Sequence, residues 1–151
     1  MVQEVMHIGV TVTDIERSIA FYRDTLGLSF RGELLMQGEA TDRLFARKGC
    51  KVKVAYLNGS DEILAPPIEL LEFIDKPAEK APSSLFLTSI SEICFRVKDI
   101  EALYAHLQEH GVECLSEPQF FDFTSMGHGK SKAIYFKDPD GIVLEAMQPV
   151  P

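Results

Sequence analysis

Four residues of this chain have types and positions that point to chemistry: His7, Glu69, Glu92 and Glu145. His7 opens "HIGVTVTDIE" and Glu92 opens "EICFRVKDIE". A shift of 85 residues carries one onto the other, and also carries Asp14, Ile15 and Glu16 onto Asp99, Ile100 and Glu101. Glu69 lies in "IELLEF" and Glu145 in "VLEAMQ", each between apolar neighbours. A carboxylate flanked in this way is costly to bury unless it is paired or bound to a metal. One imidazole with three carboxylates suits a divalent Mn, Fe, Co, Ni or Zn ion, and the oxygen-rich set favours the harder of these.

The elements that must position these residues follow from periodicity. Side chains alternate across a strand, so Ile8, Val10 and Val12 share one face while His7, Gly9 and Thr11 share the other. In the echo, Ile93, Phe95 and Val97 form the apolar face, opposite Glu92, Cys94 and Arg96. Each strand is followed by an amphipathic helix pattern. Ile15, Ile19, Tyr22 and Leu26 mark the first, and Ile100, Leu103, Tyr104 and Leu107 the second. Asp14 and Asp99 are expected N-caps, with Gly27 and Gly111 as stops. Strands are expected near 28–36 and at 51–57, 66–73, 120–124, 132–136 and 141–147, with a short helix over 41–49. "KDPDG" at 137–141 reads as a turn.

Each half therefore reads β-α-β-β-β, with a first module over 1–74, a linker over 75–89 and a second module over 90–151. A half of this size is marginal alone, so the two are expected to act as one structural unit sharing a core or a cleft. The fold class is α+β: tandem βαβββ modules in a curved mixed sheet around a central cleft, helices outside. If the sheets curl around that cleft, His7, Glu69, Glu92 and Glu145 converge.

At "HIGVTVTDIERSIAFYRDTLGL", "ICFRVKDIEALYAHLQEHGV" and "YFKDPDGIVLEAM" the chain resembles the vicinal oxygen chelate superfamily. That superfamily includes glyoxalase I, methylmalonyl-CoA epimerase, extradiol dioxygenases, and fosfomycin- and bleomycin-resistance proteins. The resemblance implies one metal ligand on the first strand and one on the last strand of each module, hence His7, Glu69, Glu92 and Glu145. The residue usual at position 92 is His, and here it is Glu. An additional carboxylate makes a bound ion a weaker Lewis acid. The implied activity is that of a metal-dependent isomerase or lyase. Glu145 or Glu69 removes the proton α to a carbonyl, and the metal stabilises the enediolate. Two other readings stand beside it: a non-catalytic binder of the bleomycin-resistance kind, for which Glu92 is the motive, and a ring-cleaving dioxygenase.

Arg96 is a candidate contact for an anionic substrate group, against the plainer reading of a solvated strand arginine. His128, between the glycines of "MGHGK", is a candidate for covering the cleft or donating a proton, against that of an exposed loop histidine. The net charge of −8 argues against nucleic acid, which needs clustered Lys and Arg. Hydrophobic residues at 46% and charged residues at 25% place the chain among globular proteins rather than disordered ones. Three cysteines without a CxxC pair argue against a disulfide framework or a structural zinc site and fit a reducing cytoplasm. No apolar run approaches the ~18 residues of a membrane helix, and the N-terminus has no basic signal segment. The expected partners are a small-molecule substrate or ligand and, from the exposed sheet edges, a second copy in a homodimer.

Overall fold

The computed structural model describes residues 5–59 and 67–151. Residues 1–4 and the expected start of the fourth strand at Pro66 lie outside them. The chain divides into two compact units, Met1–Lys80 and Ala81–Pro151.

The first unit runs β1 (Ile8–Thr11), α1 (Ile15–Ala20), β2 (Ser29–Met36), α2 (Glu39–Leu44), β3 (Val52–Asn58) and β4 (Ile68–Phe73). Its sheet has the order β1-β4-β3-β2, with β1 parallel to β4 and the other pairs antiparallel. A parallel pair needs a crossover, and α1 begins it, packing on β3 and β4. The helix face of the sheet is apolar: Val10, Ala55, Leu57, Ile68 and Leu70 are buried there, as are Ile15, Ile19 and Tyr22 of the helical segment. β4 is hydrogen-bonded on both sides, so its opposite face is the floor on which Glu69 stands.

The second unit repeats the plan. It runs β5 (Ile93–Arg96), α3 (Ile100–Glu109), β6 (Gln119–Asp122), β7 (Lys130–Lys137) and β8 (Val143–Val150), in the sheet order β5-β8-β7-β6. Ile93, Ile134, Phe136, Leu144 and Ala146 are buried on its helix face, and Ile100 and Leu107 are buried in α3. Both helices have the expected caps. The Asp14 side chain accepts from the Arg17 amide at 3.0 Å, and that of Asp99 accepts from the Ala102 amide at 3.0 Å. α3 ends in a Schellman turn. The Val112 amide donates to the Leu107 carbonyl at 2.9 Å and Gly111 supplies the positive φ of 66°.

Four elements differ clearly from the expectation, the short helix expected over 41–49 among them, which is α2 at Glu39–Leu44. The first helix is not regular through Leu26: α1 gives way to a π-helical turn over Phe21–Thr25. The wider turn lets the adjacent rings Phe21 and Tyr22 both reach the core, and Leu26 is left half-buried. β6 stops at Asp122, because the Asp122 carboxylate accepts from both the amide and the hydroxyl of Thr124 and turns the chain into a 3₁₀ segment over Thr124–Met126. β8 runs on to Val150, paired with Lys130. No helix among the described residues is long and apolar enough to cross a membrane.

Candidate metal and active site

His7 stands one residue before β1, and Glu69 is the second residue of β4. Parallel pairing sets Gly9 beside Glu69, and antiparallel pairing sets Tyr56 of β3 on its other side. Cross-strand neighbours point to the same face, so the imidazole, the carboxylate and the phenol meet above the sheet. His7 Nε2 lies 3.0 Å from Glu69 Oε2. The Tyr56 hydroxyl donates to Glu69 Oε1 at 3.0 Å. The carboxylate is thus divided, with one oxygen held by a phenol and the other turned to the histidine. The Glu69 side chain is only 13% exposed, whereas that of His7 is 46% exposed. Burial, then the hydrogen bond to Glu69, raises the Tyr56 phenol above its ordinary value of 10.0.

The second unit has the same register with different side chains. Cys94 of β5 and Tyr135 of β7 flank Glu145 of β8, as Gly9 and Tyr56 flank Glu69. Glu145 is 9% exposed. The Cys94 thiol is pushed up to about 12, first by burial and then by its hydrogen bond to Glu145, whose charge and that of Glu92 add to the effect. The Tyr135 phenol is also raised, by burial and then by the charges of Glu145, Glu92 and Cys94. Glu92 stands one residue before β5, as His7 stands before β1, and is half-buried.

The structure therefore pairs His7 with Glu69 and sets Cys94 and Tyr135 beside Glu145, with Glu92 near enough for its charge to bear on Cys94 and Tyr135. Arg96 ends β5, exposed, opposite Met147. His128 is exposed in the connection between β6 and β7, where its amide donates to the Phe123 carbonyl at 3.1 Å. Sequence reasoning passed over Tyr56 and Tyr135. The signal was available: each lies on the strand that pairs antiparallel with the glutamate strand, in "KVKVAYL" and "KAIYF".

The 3.0 Å between His7 Nε2 and Glu69 Oε2 is the length of a hydrogen-bonded pair and is also compatible with two ligands of one divalent ion. Adjacent ligands about 2.1 Å from a six-coordinate ion stand roughly 3.0 Å apart, the distance found between Nε2 and Oε2. Gly9 is set by packing: a Cβ there would lie 3.2 Å from Leu71 Cδ1, tighter than usual, and in ordinary contact with Glu69 Oε2 at 3.7 Å. Among the described residues, no three His, Cys, Asp or Glu side chains form a group able to hold an ion. His7 and Glu69 thus stand as a pair, with no third such side chain beside them among the described residues.

Residues 4–146 match the family model described as the Glyoxalase/Bleomycin resistance protein/Dioxygenase superfamily, and the chain belongs to that family. It is 32% identical over 146 residues to YaeR, an uncharacterized protein of Escherichia coli strain K12, covering 95% of this chain and 94% of that one. Among solved structures, it is similar to a glyoxalase family protein from Bacillus cereus. The TM-score is 0.86 at 20% identity, over 100% of this chain and 97% of the other. It is also similar to the trypanothione-dependent glyoxalase I of Leishmania major, with a TM-score of 0.67 at 21% identity, over 97% and 87% of the two chains. These structural likenesses carry the tandem βαβββ fold.

Proposed function

We propose that this protein is a metal-dependent isomerase or lyase that moves a proton on the carbon α to a substrate carbonyl. The observation that carries the reading is the divided carboxylate of Glu69, held by Tyr56 and turned to His7 at ligand spacing. Glu145 has the same register in the second unit. A glutamate on a central strand, hydrogen-bonded on both sides, adds nothing to packing that an apolar residue would not add better.

His7, Glu69, Glu92 and Glu145 are the residues that would hold a divalent ion, drawn from Ni, Zn, Mn, Co and Fe. When bound, the ion supplies Lewis acidity toward two neighbouring substrate oxygens. The chain supplies the proton chemistry. Glu145 takes the proton, the C–H electron pair becomes a carbon–carbon double bond, and the carbonyl π pair moves onto oxygen to give an enediolate. Glu145 returns the proton it took; for delivery to the opposite face, Glu69 gives one it has taken from solvent while Glu145 releases its own to solvent. Return to the neighbouring carbon gives the isomer, and return to the other face of the same carbon gives the epimer. No electrons are gained or lost overall. Arg96 and His128 are proposed substrate contacts, and a homodimer in the cytoplasm is the proposed state.

The test has two parts. Metal analysis of protein purified without chelator is expected to find stoichiometric divalent ion. Deuterium uptake from heavy water at the α carbon, followed by NMR over a panel of 2-hydroxycarbonyl compounds and thioesters, is expected for the parent and abolished in E145Q. Exchange at the parental rate in E145Q would remove Glu145 from the role of base. A second reading is favoured by one residue, Glu92, which stands where the family's ligand is usually His: a metal-free binder of small, antibiotic-type molecules. Absence of metal even after soaking with Mn, Ni and Zn would favour that reading instead. Iron with oxygen consumption on a catechol would mark a dioxygenase.

A further inference from the structure

We infer that the sheet face of the second unit binds a small aromatic carboxylate, its ring against Phe121 and Phe123 and its carboxylate on Arg96. The assignment rests on the reading above only in taking this face, the one that carries Glu145, as the face that meets the ligand. It needs no ion, and it holds for an enzyme and for a binder alike.

Pairing register lays the face out in rows. Glu145 and Tyr135 stand in one row. Arg96, Met147 and Ala133 stand in the next, and Ser131 with Phe121 in the one after. Neighbouring rows lie about 7 Å apart and neighbouring strands about 4.8 Å. Ala133 and Ser131 are small and only partly covered, so they form a shallow floor. Met147 bounds it on one side and the edge strand β6 on the other. That edge carries two rings. Phe121 and Phe123 stack with centroids 5.8 Å apart and planes 13° from parallel. They remain 40% and 41% exposed, so the pair is a flat apolar wall that the chain itself does not cover.

The first unit shows the same surface filled. Val54 pairs with Leu71 as Ala133 pairs with Met147, and Val52 lies two residues back as Ser131 does. Both valines are fully buried. Val52 pairs with Phe73, and Phe45, just past α2, rests edge-on against that ring with centroids 5.4 Å apart. The Arg47 guanidinium lies 4.6 Å from the centre of the Phe73 ring. The chain thus closes this part of its first sheet with stacked rings and a cation. In the second unit a 3₁₀ segment, Thr124–Met126, stands in the place of α2, and Ala133, Ser131 and the two rings stay open.

Charge selects the occupant. Arg96 is exposed at the far end of the middle row and has no ion pair among the described residues. Its planar fork matches a carboxylate through two parallel hydrogen bonds. From β5 to β6 the face spans three strand spacings, about 14 Å. The Arg96 side chain reaches across part of that width, and an acid of one or two fused rings fills the rest. Its ring lies on Ala133 and Ser131, stacked toward Phe121, with the Met147 thioether at its other edge. Its carboxylate stays one row away from Glu145. An aliphatic acid forfeits the stacking, and an uncharged aromatic forfeits Arg96.

The experiment titrates the metal-stripped, ¹⁵N-labelled full chain with 2-naphthoate, its uncharged amide and octanoate, following amide shifts. Saturable shifts for 2-naphthoate are expected at 119–123, 131–133 and Arg96. R96Q is expected to weaken 2-naphthoate about 10–100-fold, the worth of a charge-assisted pair, and to leave the amide unchanged. F121A is expected to weaken it about 3–10-fold through lost stacking, and octanoate to bind more weakly than 2-naphthoate by a similar factor. A133L fills the floor and is expected to abolish binding. Thermal unfolding verifies that each variant is folded, and R96Q, at an exposed position, decides the matter if A133L is not. Affinity for 2-naphthoate within threefold of the parent in R96Q, or no saturable shift in the parent, would overturn the inference. Self-association of the parent that F121A abolishes, without 2-naphthoate binding, would overturn it too and make this face an interface between copies. Loss of α-deuterium exchange with 2-naphthoate binding intact would overturn only the proposed reaction.

Discussion

Replacing Asp138 with Ala is expected to cost about 3 kcal/mol of stability, and replacing it with Asn about 1 kcal/mol. The residue opens the turn that carries β7 into β8, the strand of Glu145. Its side chain is folded back onto the turn, with Oδ1 accepting from the amides of Asp140 at 2.9 Å and Ile142 at 2.8 Å. The backbone closes the same loop: the Asp138 amide donates to the Ile142 carbonyl at 3.0 Å and the Gly141 amide to the Asp138 carbonyl at 2.9 Å. Gly141 takes a φ of 85°, which a side chain would strain. Asp138 is 5% exposed, so the carboxylate is buried and water cannot replace it freely.

Each bond to a charged acceptor contributes about 1.5–3 kcal/mol, and because both amides share the one oxygen their contributions do not add in full, which puts the loss in D138A at about 3 kcal/mol. D138N keeps an oxygen acceptor and loses only the charge, hence the smaller figure. For a chain of this length, 1 kcal/mol moves the melting temperature by roughly 2–4 °C. Calorimetry at pH 7 is therefore expected to show D138A melting about 6–12 °C below the parent and D138N about 2–4 °C below. A D138A protein melting within 2 °C of the parent would refute the assignment of the turn's stability to this carboxylate. Equal damage in both variants would show that charge, not acceptor geometry, is what the turn requires.

Two further outcomes follow from titrating groups. The Asp75 carboxyl is held below its ordinary 3.8, mainly by the Lys51 amide, with Arg47 adding at 3.0 Å. A depressed carboxyl stabilises the fold above its unfolded value and loses that contribution as pH falls through its folded value. Urea unfolding of D75N is thus expected to match the parent near pH 2 and fall below it above pH 4; a gap that is constant with pH would refute this. In metal-stripped protein at pH 8, Cys94 is expected to alkylate on the order of 10³-fold more slowly than a thiol at the ordinary value, because at a pKa of about 12 little of it is thiolate. Peptide mapping after iodoacetamide reads the rate at Cys94, which is expected to rise in E145Q; a fast reaction in the parent would contradict the assigned environment.

The parts of the fold that repeat were legible in the chain. The 85-residue echo, the two aspartate caps and the alternation of Ile8, Val10 and Val12 each express a local period that a single segment carries in full. What was not legible depends on choices between neighbours. The π turn at Phe21 arises because two adjacent rings both gain by burial, and a helical period places only one of them inside. The early end of β6 is decided by one carboxylate capturing Thr124, within a run that otherwise favours strand. The site shows the same division. Parity alone places Glu69 and Glu145 off the helix face, but the partnership of Tyr56 with Glu69 depends on pairing register, which no one strand encodes.

The two units keep the carboxylate and the tyrosine and change what precedes them, His7 and Gly9 becoming Glu92 and Cys94. The substitution has a testable sign. With a neutral imidazole, three carboxylates leave a divalent site with a formal charge near −1, whereas two imidazoles and two carboxylates leave it near 0. A harder, more anionic set favours Mn over Zn relative to a set richer in nitrogen. E92H is therefore expected to raise Zn affinity relative to Mn by at least tenfold, read as the ratio of the two dissociation constants in parent and variant under identical buffer. The comparison cancels any general loosening of the second unit, since that would weaken both ions together. A ratio unchanged within threefold would show that Glu92 does not touch the ion, and would leave His7, Glu69 and Glu145 as the ligands to be tested.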